Sequence, residues 1–169
     1  MKTSLMQDAF AHDVWATQRL IEACLELSPE QLETDVPGTY GSILDTMRHL
    51  VGADAWYLLL ITGDRAHEVD ESRMSLPELA AVMEADAAAW SSFLATDPDP
   101  DANLKEVEDD GFERDATIGI RLAQALHHGT DHRSQICTAL TTLGVEPPSI
   151  DVWDFGLQHG RVNEVLPNA

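Results

Sequence analysis

The sequence predicts an all-α fold: a four-helix bundle with a long crossover connection between the third and fourth helices and a C-terminal tail packed on the bundle. Three observations predict it. Apolar residues recur at helical spacing in four long segments, and turn or capping residues separate those segments. One stretch, from Thr96 to Asp115, is acidic, turn-rich and without a long periodic face, as a connection would be. The chain has 169 residues, 44% of them apolar, which fits one core and a single domain over residues 1–169.

The first helix is expected over about Ser4 to Leu27, with Met6, Phe10, Val14, Ile21, Cys24 and Leu27 inward. Ser28-Pro29 breaks it, and Pro37-Gly38 marks a turn. Ser42 with Asp45 resembles a capping box and opens a second helix through Ile61. Its inner face carries Ile43, Met47, Leu50, Tyr57 and Ile61, and Gly63-Asp64 ends it. Ser75, Pro77 and Glu78 start a third helix that runs through Leu94. Leu79, Val82, Met83, Trp90 and Phe93 are its expected core. In the crossover, short extended pieces are expected around Leu104 to Val107 and Phe112. The fourth helix spans about Thr117 to Leu143, with Leu122, Leu126, Ile136, Leu140 and Leu143 as its stripe. Gly144 and Pro147-Pro148 stop it. Trp153 and Phe155 in the tail are expected to fold back onto the bundle, with room for a short final helix.

Ten basic residues against 30 acidic ones give a formal charge of -20. Such a surface repels nucleic-acid phosphates and anionic membranes, so neither is an expected partner. The acidity fits a high-salt habitat or simple solubility and names no substrate. The start, MKTSLMQDAFAHD, lacks the apolar run and cleavage site of a signal peptide. Cys24 and Cys137 are isolated and form no disulfide framework. A cytoplasmic location is the expectation.

Seven histidines are candidates for chemistry. His128 and His132 are four residues apart, about 6 Å along one helix face, so two imidazoles can converge on one ion. On a helical wheel both border the apolar stripe of the fourth helix, and His127 points away. His49 borders the stripe of the second helix and shares a face with Asp45, Ala53 and Trp56. Metal sites of helix bundles are built where such faces meet. His12, His67 and His159 read as surface groups. Glu-x-x-His, H-E-x-x-H, a phosphate-cradling glycine loop and G-x-S-x-G are all missing. Cys137 lies near the core stripe and reads as a structural thiol.

Three parts in order carry a resemblance: HDVWATQRLIEA in the first helix, HLVGADAWYLL in the second, and HHGTDHRSQICTALTTLGVEPPSID in the last. With them the chain resembles the DinB-like superfamily of small four-helix bundles over nearly its whole length. The resemblance implies a three-histidine metal site on His49, His128 and His132. It implies a divalent metal, zinc or nickel, and a homodimer. It also implies a thiol-dependent S-transferase, or a related transferase or isomerase, acting on small electrophiles with a low-molecular-weight thiol such as bacillithiol or mycothiol.

Two other readings stay open: a metal-dependent hydrolase, and a non-catalytic dimeric bundle that binds metal or a small ligand. A divalent ion held by neutral imidazoles lowers the pKa of a thiol or water that reaches it, which serves either enzyme reading. Asp45 and Asp131 are expected to orient a ligand imidazole. Gln135, one turn past His132, is expected to bond substrate or metal-bound water. Arg133 is expected in an ion pair on the bundle surface.

Overall fold

The computed structural model describes residues 5–64, 68–107 and 110–165. Four long helices carry the core: α1 (Leu5–Cys24), α3 (Ile43–Thr62), α4 (Leu76–Leu94) and α5 (Ile118–Thr142). A single helical turn, α2 (Pro29–Leu32), follows α1. The strands β1 (Asn103–Val107) and β2 (Glu113–Thr117) fill the crossover, and α6 (Val152–Gln158) ends the fold. Among the described residues no helix is long and apolar enough to cross a membrane.

Local chemistry explains the boundaries. Ser42 opens α3: its Oγ accepts the Asp45 N–H at 3.1 Å and donates to Asp45 Oδ2 at 2.8 Å. Gly63 closes α3 with φ +74°, a left-handed conformation that glycine adopts without a Cβ clash. At the start of α4 the Ser75 N–H donates to Glu78 Oε2 at 2.8 Å. The one-turn α2 goes beyond the expected break at Ser28-Pro29. Ser28 caps it, and Gln31 returns a bond to the Ser28 N–H at 2.9 Å, so S-P-E-Q is a capping box in its own right.

The strong packing contacts join α1 to α4 and α5, and α3 to α4 and α5. Helices α1 and α3 therefore face each other across one diagonal, and α4 and α5 across the other. Phe10, Leu20, Ile21, Met47, Leu58, Leu79, Met83, Trp90, Ile136 and Leu140 fill the interior. Leu126 and Leu143, expected in the α5 stripe, are only half-buried.

The crossover is an ordered antiparallel hairpin with Glu106 opposite Arg114. The extended piece expected around Phe112 is β2, which begins one residue later, and the Phe112 ring is exposed. Arg121, in the first turn of α5, pins the hairpin: it meets Glu106 at 3.0 Å and donates to the carbonyls of Leu104 and Arg114. In the tail, Phe155 packs on Trp15 at 5.6 Å between ring centroids, as expected. Trp153 does not: it is 68% exposed. Two positions apart on a helix differ by about 200°, so both rings cannot face the bundle.

Candidate metal centre

Because α3 packs directly against α5, a side chain in the second turn of α3 can meet side chains midway along α5. His49, His128 and His132 do so, with one nitrogen from each within 4.8 Å of the others. His49 Nε2 and His128 Nε2 lie 3.2 Å apart. Two nitrogens at this distance share either a proton or an ion. Zinc–nitrogen bonds of about 2.0–2.1 Å at tetrahedral angles put neighbouring ligand nitrogens about 3.3 Å apart. The pair therefore has the spacing of one edge of a metal's coordination shell.

Two further observations fit an ion. His132 is 8% exposed, and its Nδ1 is buried without a hydrogen-bond partner. The two α5 rings also resist protonation. Burial, then the charges of His132 and His49, push His128 down to about 4. His132 is lowered by burial and by His49, with Gln135 and Asp131 opposing. Neutral imidazole is the form that binds metals.

The surroundings of the triad come from loops. Glu71, between α3 and α4, places Oε2 3.3 Å from His49 Nδ1. A hydrogen on Nδ1 would donate to this carboxylate and leave the Nε2 lone pair facing His128. Gly52 makes this approach possible: a Cβ there would lie 2.6 Å from Glu71 Oε1. Tyr40, from the loop before α3, stacks on His49 with centroids 4.0 Å apart and planes 7° apart. Its backbone N–H donates to Gln135 Oε1 at 2.8 Å.

Sequence reasoning missed Glu71 and Tyr40. Glu71 left no periodic signal. A glycine three residues past His49, on the same helical face, was the one available hint that something approaches there.

Several expected roles need correction. Asp45 does not orient His49: its carboxylate serves the α3 cap and lies 3.6 Å from Arg48. Asp131 is exposed and acts on His128 and His132 only through its charge. Gln135 is at the site, with its carbonyl held by Tyr40. Arg133 does form an ion pair, but inside the bundle: it is 3% exposed and lies 2.6 Å from Asp13. One helical step of about 100° separates it from His132 and turns it toward α1.

His127 and His159 are exposed, as read. His12 is half-buried, because its Nε2 lies 2.8 Å from the Ile150 carbonyl. His67 lies outside the described residues. Cys137 is half-buried, and burial pushes its thiol up, so it is not a ready thiolate.

Glu71 also lines an open cavity of about 740 Å³ with Trp56, Leu59 and Val69. A groove of about 910 Å³ lies elsewhere, between α1, α4 and α6; none of the three histidines lines either space, and Glu71 is what joins the first to His49.

No curated protein matches the sequence. The model of the DinB family matches residues 1–160, which takes in all four long helices, the hairpin and the three histidines. A helical bundle with a hairpin in its crossover, three histidines converging between α3 and α5, and a family match across nearly the whole length agree: the chain belongs to the DinB family.

Proposed function

We propose that His49, His128 and His132 hold one divalent cation, zinc or nickel, and that the protein is a metal-dependent enzyme acting on a small electrophile. The observation that carries this reading is the convergence of three imidazoles on one point, with a carboxylate on the far side of one ring. A divalent cation there supplies Lewis acidity, which turns a thiol or a water into a nucleophile near neutral pH.

The chain's own residues do the rest. Glu71 holds the proton on His49 Nδ1 and orients that ring. Tyr40 covers the His49 face, and Gln135 ties the Tyr40 backbone to α5. The cavity beside Glu71 is of a size for a small molecule, with Trp56 as an apolar wall. The preferred activity is thiol-dependent S-transfer, or a related transferase or isomerase reaction, with a low-molecular-weight thiol as co-substrate. The protein is proposed to work as a cytoplasmic homodimer.

Purified protein should carry about one metal per chain by elemental analysis, and His128→Ala and His132→Ala should each lose it. Full metal content in both variants would remove the ligand assignment. A panel of thiols, bacillithiol and mycothiol included, tested against a model electrophile then separates the reactions. Turnover only with a thiol supports the transferase. Turnover with water alone makes the protein a hydrolase, and no turnover with either leaves a binding protein.

A further inference from the structure

The seam between α1 and α4 is the edge of the bundle opposite the seam between α3 and α5, which carries the histidines. On α4, positions 87, 91 and 95 are four residues apart and share one face. They are Ala87, Ser91 and Ala95, where larger side chains would close the seam. Ala11 keeps the facing position on α1 small. The groove of about 910 Å³ left there falls in the range of small-molecule sites. Its floor is apolar and fixed. Phe10 and Trp90 are each 1% exposed, with ring centroids 4.3 Å apart. Trp90 sends its indole N–H inward to Asp54 at 2.9 Å, so the polar edge of the ring is turned away from the groove.

The third wall is α6, and long-range bonds hold it beside the groove rather than in it. His12 Nε2 lies 2.8 Å from the Ile150 carbonyl, and Arg19 Nε donates to the Ser149 carbonyl at 3.0 Å. Beyond α6, Arg161 meets Asp8 on α1 at 2.6 Å. Gly156 lets the tail turn back toward α1, because a Cβ there would lie 2.5 Å from Val162 Cγ2. Phe155 and His159 then stand edge-on to Trp15, at 5.6 and 6.4 Å between centroids, and the three rings make an aromatic wall.

The lining favours one sign of charge. Its charged residues are Asp8 and Asp97, with no lysine or arginine among them. Arg161 already answers Asp8; Asp97 meets no cation among the described residues. His159 Nδ1 lies 2.8 Å from the Phe155 carbonyl. A carbonyl only accepts, so Nδ1 carries a hydrogen, and in the neutral ring Nε2 is an acceptor. The guanidinium of Arg19 sits 5.2 Å from the centre of the Trp15 ring, so one face of this indole already takes a cation. Aromatic faces, a carboxylate and a ring nitrogen all attract a cation, and an anion would find no charged partner. The formal charge of -20 concentrates cations around the chain as a whole.

We propose that this groove is a second ligand site, separate from the histidine triad, and that it binds a small organic cation: an amine on an aromatic or compact apolar body. The body lies on the floor of Phe10 and Trp90. The ammonium group stays at the rim, between the aromatic wall and Asp97. Nothing in this assignment depends on the metal reading.

The probe is 2-phenylethylamine, with 2-phenylethanol as its neutral counterpart and 3-phenylpropanoate as its anionic one. The chain has four tryptophans, and their indole N–H signals in NMR report where a probe binds. The amine should shift the signals of Trp15 and Trp90 and leave that of Trp56, in the cavity beside Glu71, unmoved. By calorimetric titration the alcohol should bind about 10-fold more weakly, and the anion more weakly still. Ser91→Leu fills the groove from an exposed position, so it should abolish binding with the fold intact. Asp97→Asn should narrow the gap between amine and alcohol by about 2–5-fold. Asparagine tolerates the φ of +52° at this position as aspartate does. Chelator-treated and zinc-supplemented protein should bind the amine equally.

No shift of any indole signal, shifts confined to Trp56, or an anion bound as tightly as the amine would overturn the proposal. A difference between metal-free and zinc-supplemented protein would tie the amine to the metal centre and overturn the separate site. So would a second copy as the occupant: a dimer in sedimentation equilibrium that Ser91→Leu turns into a monomer, with the amine bound by neither.

Discussion

His132 and Arg133 are neighbours in the chain and belong to different chemistries. His132 turns toward His49 on α3, and Arg133 turns toward Asp13 on α1. At this scale the pH response follows from His128, held down to about 4 first by burial and then by its neighbouring imidazoles. An unfolded imidazole takes up a proton near 6.5 that the folded ring refuses. Metal-free protein should therefore lose stability as pH falls from about 6.5 towards about 4. His128→Gln should remove part of that loss, as read by thermal melts across this range. Gly52 gives a second test. An alanine there favours the helix by about 0.5–1 kcal/mol. It also displaces Glu71 from beside His49, since its Cβ would lie 2.6 Å from Oε1. Gly52→Ala should keep or raise the melting temperature while metal affinity drops about 10-fold by calorimetric titration. Unchanged affinity would show that Glu71 does not tune the ring.

Among the elements, the hairpin is the one held by charge. Glu106 and Arg121 are each 3% exposed and 3.0 Å apart. Removing Arg121 leaves buried Glu106 with only the exposed Arg114, at 3.2 Å, as its cation, which costs up to about 3–5 kcal/mol. Arg121→Met should be destabilised by about that amount in urea unfolding, and adding Glu106→Leu should recover most of it. No recovery would mean that the carbonyl bonds of Arg121 to Leu104 and Arg114 matter more than its charge. The long helices were legible because capping chemistry is local: Ser42 with Asp45, Ser75 with Glu78 and Gly63 all act within one turn. The hairpin was legible only as short extended pieces. Strand pairing depends on residues about ten positions apart, and its anchor Arg121 lies in a different element. In α6, helical phase alone separates buried Phe155 from exposed Trp153.

For the whole molecule, the diagonal placement of α1 and α3 decides which side chains meet. It puts both against α5, so that one face of α5 receives His49 and another receives Asp13. A cation bound between α3 and α5 favours the folded state by mass action, by about 2.7 kcal/mol at 100 times its dissociation constant. Adding zinc to chelator-treated protein should raise the melting temperature by about 5–10 °C. The rise should be absent in His132→Ala.

Sequence alone determined the four helices, their caps, most of the apolar stripes and the three histidines. These are properties of spacing along one chain, where a period of 3.6 residues assigns a face without reference to any partner. Only the tertiary structure decided what completes the site. Glu71 and Tyr40 reach the triad from loops, which have no period to read. Arg133 is buried rather than at the surface because Asp13 waits on α1. Contacts between elements are set by how the helices pack, and no single segment carries that information.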